Sequence, residues 1–308
     1  MKFLARKYCL AKMEKKKLNV DIARAISDFE DAIKAFQLKE KIYRIIYRGK
    51  GLEFESYQDY TPDQDAVNID WKASLRANKP ITKRYKEERD LKIVFLIDVS
   101  ENMVLGSTKK LKCEYAAEMI AALAHLMITS NDNVGYALFS DKIKDYVPPK
   151  KGLNHLFSFI DRLSDSITYG GSSNISGAYE FALEYLDKSI DAIIFVSDFI
   201  KMQKDNIKQL YLLSYKCEMT ALMVKDPLDK KLPNLDREIV IQDPTTGQQL
   251  LVNPKIASKI YEKYTAEQEN LVKNIFLRTG IDLLSLITDK NFVLPLAEFL
   301  KARGDKGE

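Results

Sequence analysis

The residues in this chain best suited to chemistry are oxygen donors that follow apolar runs. Asp98-Val99-Ser100-Glu101-Asn102 comes directly after Leu91–Ile97. As a chain leaves a strand, alternate positions can turn toward one point, so Asp98, Ser100 and Asn102 would offer a carboxylate, a hydroxyl and an amide oxygen together. A hard dication such as Mg²⁺ takes oxygen ligands in a near-octahedral shell and often keeps several waters. Two more segments carry matching donors. Asp198 follows the apolar run Asp191–Val196, and Ser173 lies in Tyr169-Gly-Gly-Ser-Ser-Asn-Ile, where the glycines permit a tight turn. One Asp-x-Ser alone is a weak signal, because Ser and Asp also cap turns and helices. Three such segments make a coherent metal site.

Other chemistries lack their residues. The chain has 2 His, and neither His125 nor His155 has a Cys or carboxylate at metal-ligand spacing, so both read as satisfied helix residues. No G-x-x-x-x-G-K-[ST] sequence occurs, and Gly170-Gly171 reads as a tight turn, not a phosphate cradle. A phosphoester hydrolase built on Mg²⁺ is an alternative. It would need a second acidic or basic group beside Asp98, where the sequence offers Asp-Val-Ser and not Asp-x-Asp. The expectation is therefore a binding protein, not an enzyme. A metal-free interaction subunit docking through its basic N-terminal helix is the third alternative.

Charge and composition narrow the partners. The 48 Lys and Arg against 44 Asp and Glu leave a formal +4 with both signs mixed, and the 16 Tyr and 14 Phe are scattered as core residues, which argues against nucleic acid. Lys15-Lys16-Lys17 reads as a solvated helix face. Cys9, Cys113 and Cys217 are odd in number and form no C-x-x-C pair, which predicts free thiols in a reducing compartment. Charges interrupt the N-terminus too often for a signal peptide, and no apolar stretch of about 18 residues could span a membrane, so a cytoplasmic location is expected.

Three regions are expected along the chain. Residues 1–48 carry an apolar stripe at helical spacing, Ile22, Ile26, Phe29, Ile33 and Phe36, and predict amphipathic helices ending before Gly49-Lys50-Gly51. Residues 49–90 read as an irregular insert or small β-subdomain, its turn at Thr61-Pro62-Asp63, with Trp71 anchoring it against the sheet and Asp70 fixing a turn. From 91 to 302, strands at 91–97, 133–139, 143–147, 191–196, 219–224 and 281–285 alternate with helices at 109–128, 152–163, 174–187, 204–215, 254–279 and 291–302. A hairpin at 238–252 interrupts them. This alternation predicts an α/β fold with a doubly wound, mostly parallel sheet, whose ligands gather at the carboxyl ends of its strands.

Asp98, Ser100, Asn102, Ser173 and Asp198 together resemble the metal-ion-dependent adhesion site of the von Willebrand factor A fold, with Asn102 in place of a second Ser and Ser173 in place of a Thr. The resemblance extends to Gly51-Leu-Glu-Phe54, Tyr60-Thr-Pro62, Ile69-Asp70-Trp71, Arg76, Glu87–Leu91, Val224-Lys225-Asp226-Pro227 and Asp243–Gly247. These are similar to segments of a prokaryotic family of unknown function that carries a von Willebrand A domain. Asp63-Gln64, Val67 and Gln58 depart from the family pattern, which has Gly-Asp at the first pair and Arg at the other two positions. The resemblance implies an adaptor that works with a MoxR-type AAA ATPase in maturing or remodelling client complexes. Its site would hold Mg²⁺, or Mn²⁺ or Ca²⁺, and accept an acidic residue from a protein partner.

Overall fold

A computed structural model describes residues 17–36, 52–61, 69–87, 91–242 and 247–305. Cys9, Lys15, Lys16, the Gly49–Gly51 break, residues 62–68, residues 88–90 and the turn at 243–246 lie outside them. The first described elements are helix α1 (Ile22–Ala35), strand β1 (Leu52–Asp59), the short helix α2 (Trp71–Ala77) and strand β2 (Ile81–Glu87). The alternating region then begins with β3 (Lys92–Asp98), α3 (Lys112–Thr129), β4 (Asn133–Phe139), β5 (Ile143–Lys150), α4 (Leu153–Ser164) and α5 (Ile175–Glu184). It continues with β6 (Ala192–Ser197), α6 (Asn206–Lys216) and β7 (Glu218–Lys225). The hairpin β8 (Ile239–Gln242) and β9 (Gln249–Val252) precedes α7 (Pro254–Arg278), β10 (Asp282–Ile287) and α8 (Val293–Asp305).

Six strands form the central sheet in the order β10-β7-β6-β3-β4-β5. All neighbouring pairs are parallel except β4 with β5. Renumbered from β3 onward this is the doubly wound order 3-2-1-4-5-6. Its strand order reverses between β3 and β6, and in such sheets that crevice is where ligands bind.

The strand period of two divides the interior. Ile93, Phe95 and Ile97 of β3 enter one core with α1, α3, α4 and α8, whereas Val94 and Leu96 enter the other with α5, α6 and α7. Being buried on both faces explains why β3 reads as a continuous apolar run. α3 is covered on every side: of Lys112–Ile128, only His125 is not buried. The sheet lies under α3, α4 flanks it, and α1 covers its outer side. α1 is held there by the burial of Phe29 and Ile33, each contributing about 1.5–3 kcal/mol. Two buried carboxylates help: Glu114 accepts the Asn19 N–H at 2.9 Å and Glu118 the Asp21 N–H at 2.6 Å.

The small region before the main sheet is a two-stranded antiparallel ribbon, β1 with β2, joined through α2. Asp70 does fix the start of α2, its carboxylate accepting the Lys72 and Ala73 N–H groups at 3.0 and 3.1 Å. The expectation for Trp71 fails, because its side chain is 68% exposed and Leu75, one turn on, is 79% exposed. Ser74 is the α2 residue turned inward, its hydroxyl accepting the Ile81 N–H at 2.9 Å.

Both histidines lie on helices, but among the described residues only His155 has its ring nitrogen in a hydrogen bond; His125 Nδ1 is buried beside Glu30 without one. His155 Nε2 lies 2.7 Å from the Val134 carbonyl, and His125 Nδ1 lies 3.3 Å from Glu30. Cys113 and Cys217 are free thiols; Cys113 is buried and Cys217 partly so. Among the described residues, no helix is long and apolar enough to cross a membrane.

Glu269 pins α7 to the end of β7, its carboxylate 2.7 Å from Lys273, 3.3 Å from Lys230 and 3.6 Å from Lys225. Burial would raise this carboxyl, but the three ammonium groups outweigh it and hold it at about 2. A carboxyl depressed in the folded state stabilises above its unfolded value, and that contribution is lost as pH falls through the folded value. Glu269→Gln should therefore lower stability at neutral pH and flatten the loss between pH 4.5 and about 2. Urea unfolding of both proteins across that range checks the sign.

Candidate metal centre

The carboxylate at the centre is Asp98, the last residue of β3, and it is fully buried. Its Oδ1 accepts the Ser100 N–H at 2.9 Å. Its Oδ2 accepts the Ser173 hydroxyl at 2.7 Å and the Ser197 hydroxyl at 2.8 Å. Burial pushes the Asp98 carboxyl above its ordinary value, and the negative charge of Asp198 adds to this. The nearby Ser100 hydroxyl, then the Ser173 hydroxyl and the Ser100 main chain, oppose the rise.

The loop after β3 turns at once, with Met103 N–H donating to the Ser100 carbonyl at 3.0 Å and a single 3-10 turn over Glu101–Val104. It is stitched to the glycine loop on both sides: Gly170 N–H to the Val99 carbonyl at 2.8 Å, and Glu101 N–H to the Gly171 carbonyl at 2.9 Å. Gly171 has φ +81°, and a Cβ there would come within 2.8 Å of the Asp141 carboxylate. The Lys144 ammonium braces the same turn by donating to the Gly170 carbonyl at 2.8 Å and the Thr168 carbonyl at 3.1 Å. Asn174 then caps α5 by accepting the Gly177 N–H at 3.0 Å, which leaves Ser173 just outside the helix and facing Asp98.

The five expected residues meet to different degrees. Asp98 and Ser173 are in direct contact. Ser100 joins them through its main chain, and its Oγ is buried, near enough to Asp98 to ease the charge there but without a hydrogen bond of good geometry among the described residues. Leaving a buried hydroxyl unpaired costs about 1–3 kcal/mol, so such an atom fits a position where an ion or a water supplies the partner. Asn102 sits on the 3-10 turn and is buried.

Asp198 departs from the expected arrangement. It is next in chain to Ser197 and acts on Asp98 through its charge, but its Oδ2 lies 2.8 Å from the Lys112 ammonium and its Oδ1 accepts the Ile200 N–H at 3.1 Å. Lys112 is wholly buried and also lies 3.0 Å from Asp229. Burial alone would depress this ammonium, but Asp198 and then Asp229 outweigh it and keep it charged. The turn after Asp198 is strained, since Phe199 has φ +54°. Aromatic packing over-determines it: the buried Phe199 ring meets Phe195 at 4.9 Å and Phe276 at 5.1 Å, both edge-on.

Ser197, Lys112 and Asp229 were not singled out from the sequence. Ser197 had a signal, since it ends the β6 run as Ser100 follows the end of β3. Lys112 had none, because a lysine opening a helix reads as solvated. The donor set of one carboxylate, two hydroxyls and an amide suits a hard dication, and the Ser100 hydroxyl, which lacks a well-formed hydrogen bond, is the atom that most directly fits one.

The chain matches, over residues 56–271, the sequence model of a family described as protein of unknown function DUF58. No curated protein matches it. Among solved structures, the conserved hypothetical protein BatB from Bacteroides thetaiotaomicron is 13% identical, over 70% of this chain and 99% of that one, with a TM-score of 0.45. An aerotolerance-related membrane protein from Bacteroides fragilis is 14% identical over the same shares, 70% and 99%, with a TM-score of 0.43. The SpRpn10 VWA domain is 11% identical over 66% of this chain and 92% of that domain, with a TM-score of 0.39. Since the family model spans residues 56–271 of a 308-residue chain, this protein belongs to the DUF58 family.

Proposed function

We propose that this chain is a metal-dependent protein-binding module. The observation that carries the reading is the convergence of the Asp98 carboxylate, the Ser173 hydroxyl and the buried Ser100 hydroxyl, which lacks a well-formed hydrogen bond, at the crevice where the strand order reverses. Mg²⁺, or Mn²⁺ or Ca²⁺ in its place, would be held through Ser100, Asn102 and Ser173, with Asp98 and Asp198 acting partly through water. The ion would supply an open position for a carboxylate presented by a partner, so recognition would require metal and acidic residue together. The family resemblance suggests the partner: a MoxR-type AAA ATPase or its client, with the chain as adaptor in maturation or remodelling of client complexes. A metal-free interaction subunit is the second reading, favoured by the Lys112 ammonium already placed against Asp198.

Calorimetric titration with Mn²⁺ separates the two. The wild type should bind, Asp98→Ala should not, and both should unfold cooperatively on heating. Binding retained in Asp98→Ala, or partner capture that persists in excess chelator, contradicts the metal-dependent reading; a wild type silent to Mg²⁺ and Mn²⁺ selects the second.

The glycine turn offers another check. Gly171→Ala places a Cβ against Asp141 at a positive φ, and should cost about 1–3 kcal/mol of stability. Because the same turn presents Ser173, Mn²⁺ affinity should fall with it, whereas Gly152→Ala, with open space around its Cβ, should leave Mn²⁺ affinity unchanged.

A further inference from the structure

We infer that Lys112 is a built-in counter-cation that keeps Asp198 off the ion and thereby makes the centre selective for a carboxylate-bearing partner. This rests on the metal-dependent reading above. Two carboxylates reach the crevice from neighbouring strands, but their surroundings differ. The hydrogen bonds to Asp98 come from neutral donors, two hydroxyls and one N–H, and the ammonium acting on it, Lys144, already donates to the Thr168 and Gly170 carbonyls. Asp198 has an ammonium 2.8 Å from Oδ2 and an N–H on Oδ1. A dication approaching Asp198 would meet the fixed charge of Lys112, and like charges at such range in a buried site repel strongly.

Lys112 cannot swing aside. Its side chain has no exposure, and its second partner, Asp229, is itself fixed by accepting the Asp226 N–H at 2.9 Å. Asp226 in turn accepts the Ser107 N–H at 2.7 Å and the Thr288 hydroxyl at 3.3 Å. The ammonium is thus clamped by a network reaching from the loop before α3 to the end of β10. Among the described residues at the crevice, Asp98 is the strand-end carboxylate not paired with an ammonium, so a dication there would meet one carboxylate, directly or through water. Its own shell would keep positive character toward solvent. Neutral waters leave that charge in place, and an external carboxylate neutralises it. A second carboxylate bound directly would remove the preference, and Lys112 prevents that.

The test uses the full chain with Mn²⁺ alone and with Mn²⁺ plus acetate as the carboxylate probe, read by calorimetry. Wild type should bind Mn²⁺ more tightly when acetate is present. Lys112→Met frees Asp198, so Mn²⁺ affinity should rise about tenfold or more and the acetate effect should vanish. Lys112→Met/Asp198→Asn removes both charges and should return Mn²⁺ affinity to within about threefold of wild type. Lys112→Gln, which can still hydrogen-bond both aspartates, gives the same reading should the Met variants fail to unfold cooperatively. Unchanged or weaker Mn²⁺ binding in folded Lys112→Met or Lys112→Gln overturns the inference, as does a tenfold loss in the double variant. A wild type that binds no Mn²⁺ ends the metal reading as well, and so is distinguishable from failure of the role given to Lys112.

Discussion

Asp98 is a carboxylate removed from water, and its hydrogen bonds decide how the carboxyl edge of the sheet is built. The donors come from three places: the Ser100 main chain on its own loop, the Ser173 hydroxyl ahead of α5, and the Ser197 hydroxyl ending β6. Burying the charge is tolerable only while all three stay in reach, so one side chain fixes three loops against one another. The main-chain bonds between Val99 and Gly170, and between Glu101 and Gly171, hold the first two at that distance. Loss of Asp98 would leave two hydroxyls facing an apolar strand end, which is why the site and the local packing are a single device.

The sheet beneath supplies the stiffness. Since β3 and β6 are buried on both faces, neither can slip register without moving its apolar residues into the wrong core. Their ends therefore deliver Asp98 and Ser197 to fixed positions. The strained backbone at Phe199 is consistent with this: a left-handed aromatic residue persists only where the surroundings leave no alternative, and here the Phe195 and Phe276 rings provide them.

Much of this was legible in the sequence, for reasons that can be named. Leu91–Ile97 and Asp191–Val196 are long enough for strands and too short for buried helices, so the residues after them lie at strand ends. Asp98, Ser100 and Asp198 followed from that, and Ser173 from the glycine-permitted turn before a helix. The role of Lys112 did not, because it depends on α3 being covered on every side. An amphipathic pattern cannot announce a buried lysine whose partners, Asp198 and Asp229, are 86 and 117 residues away. Trp71 failed for the opposite reason: its size suggested an anchor, yet the Asp70 cap and the inward turn of Ser74 place positions 71 and 75 on the exposed side of α2.

The segment Val224–Pro227, singled out from the sequence by family resemblance alone, acquires a physical role in the fold. Asp226 lies just past β7, fully buried, and accepts from Ser107 main chain and hydroxyl, from Thr288 and from Leu228. Ser107 belongs to the loop that leaves the Asp98 crevice and leads into α3, so Asp226 helps set where that helix begins. Pro227 opens the 3-10 turn that brings Asp229 back to Lys112. A substitution at Asp226 would release the Ser107 loop and, through it, the anchoring of Lys112. The segment after β3, which resembles the von Willebrand A metal pattern, and the segment after β7 are thus parts of one polar network, with the buried ammonium between them.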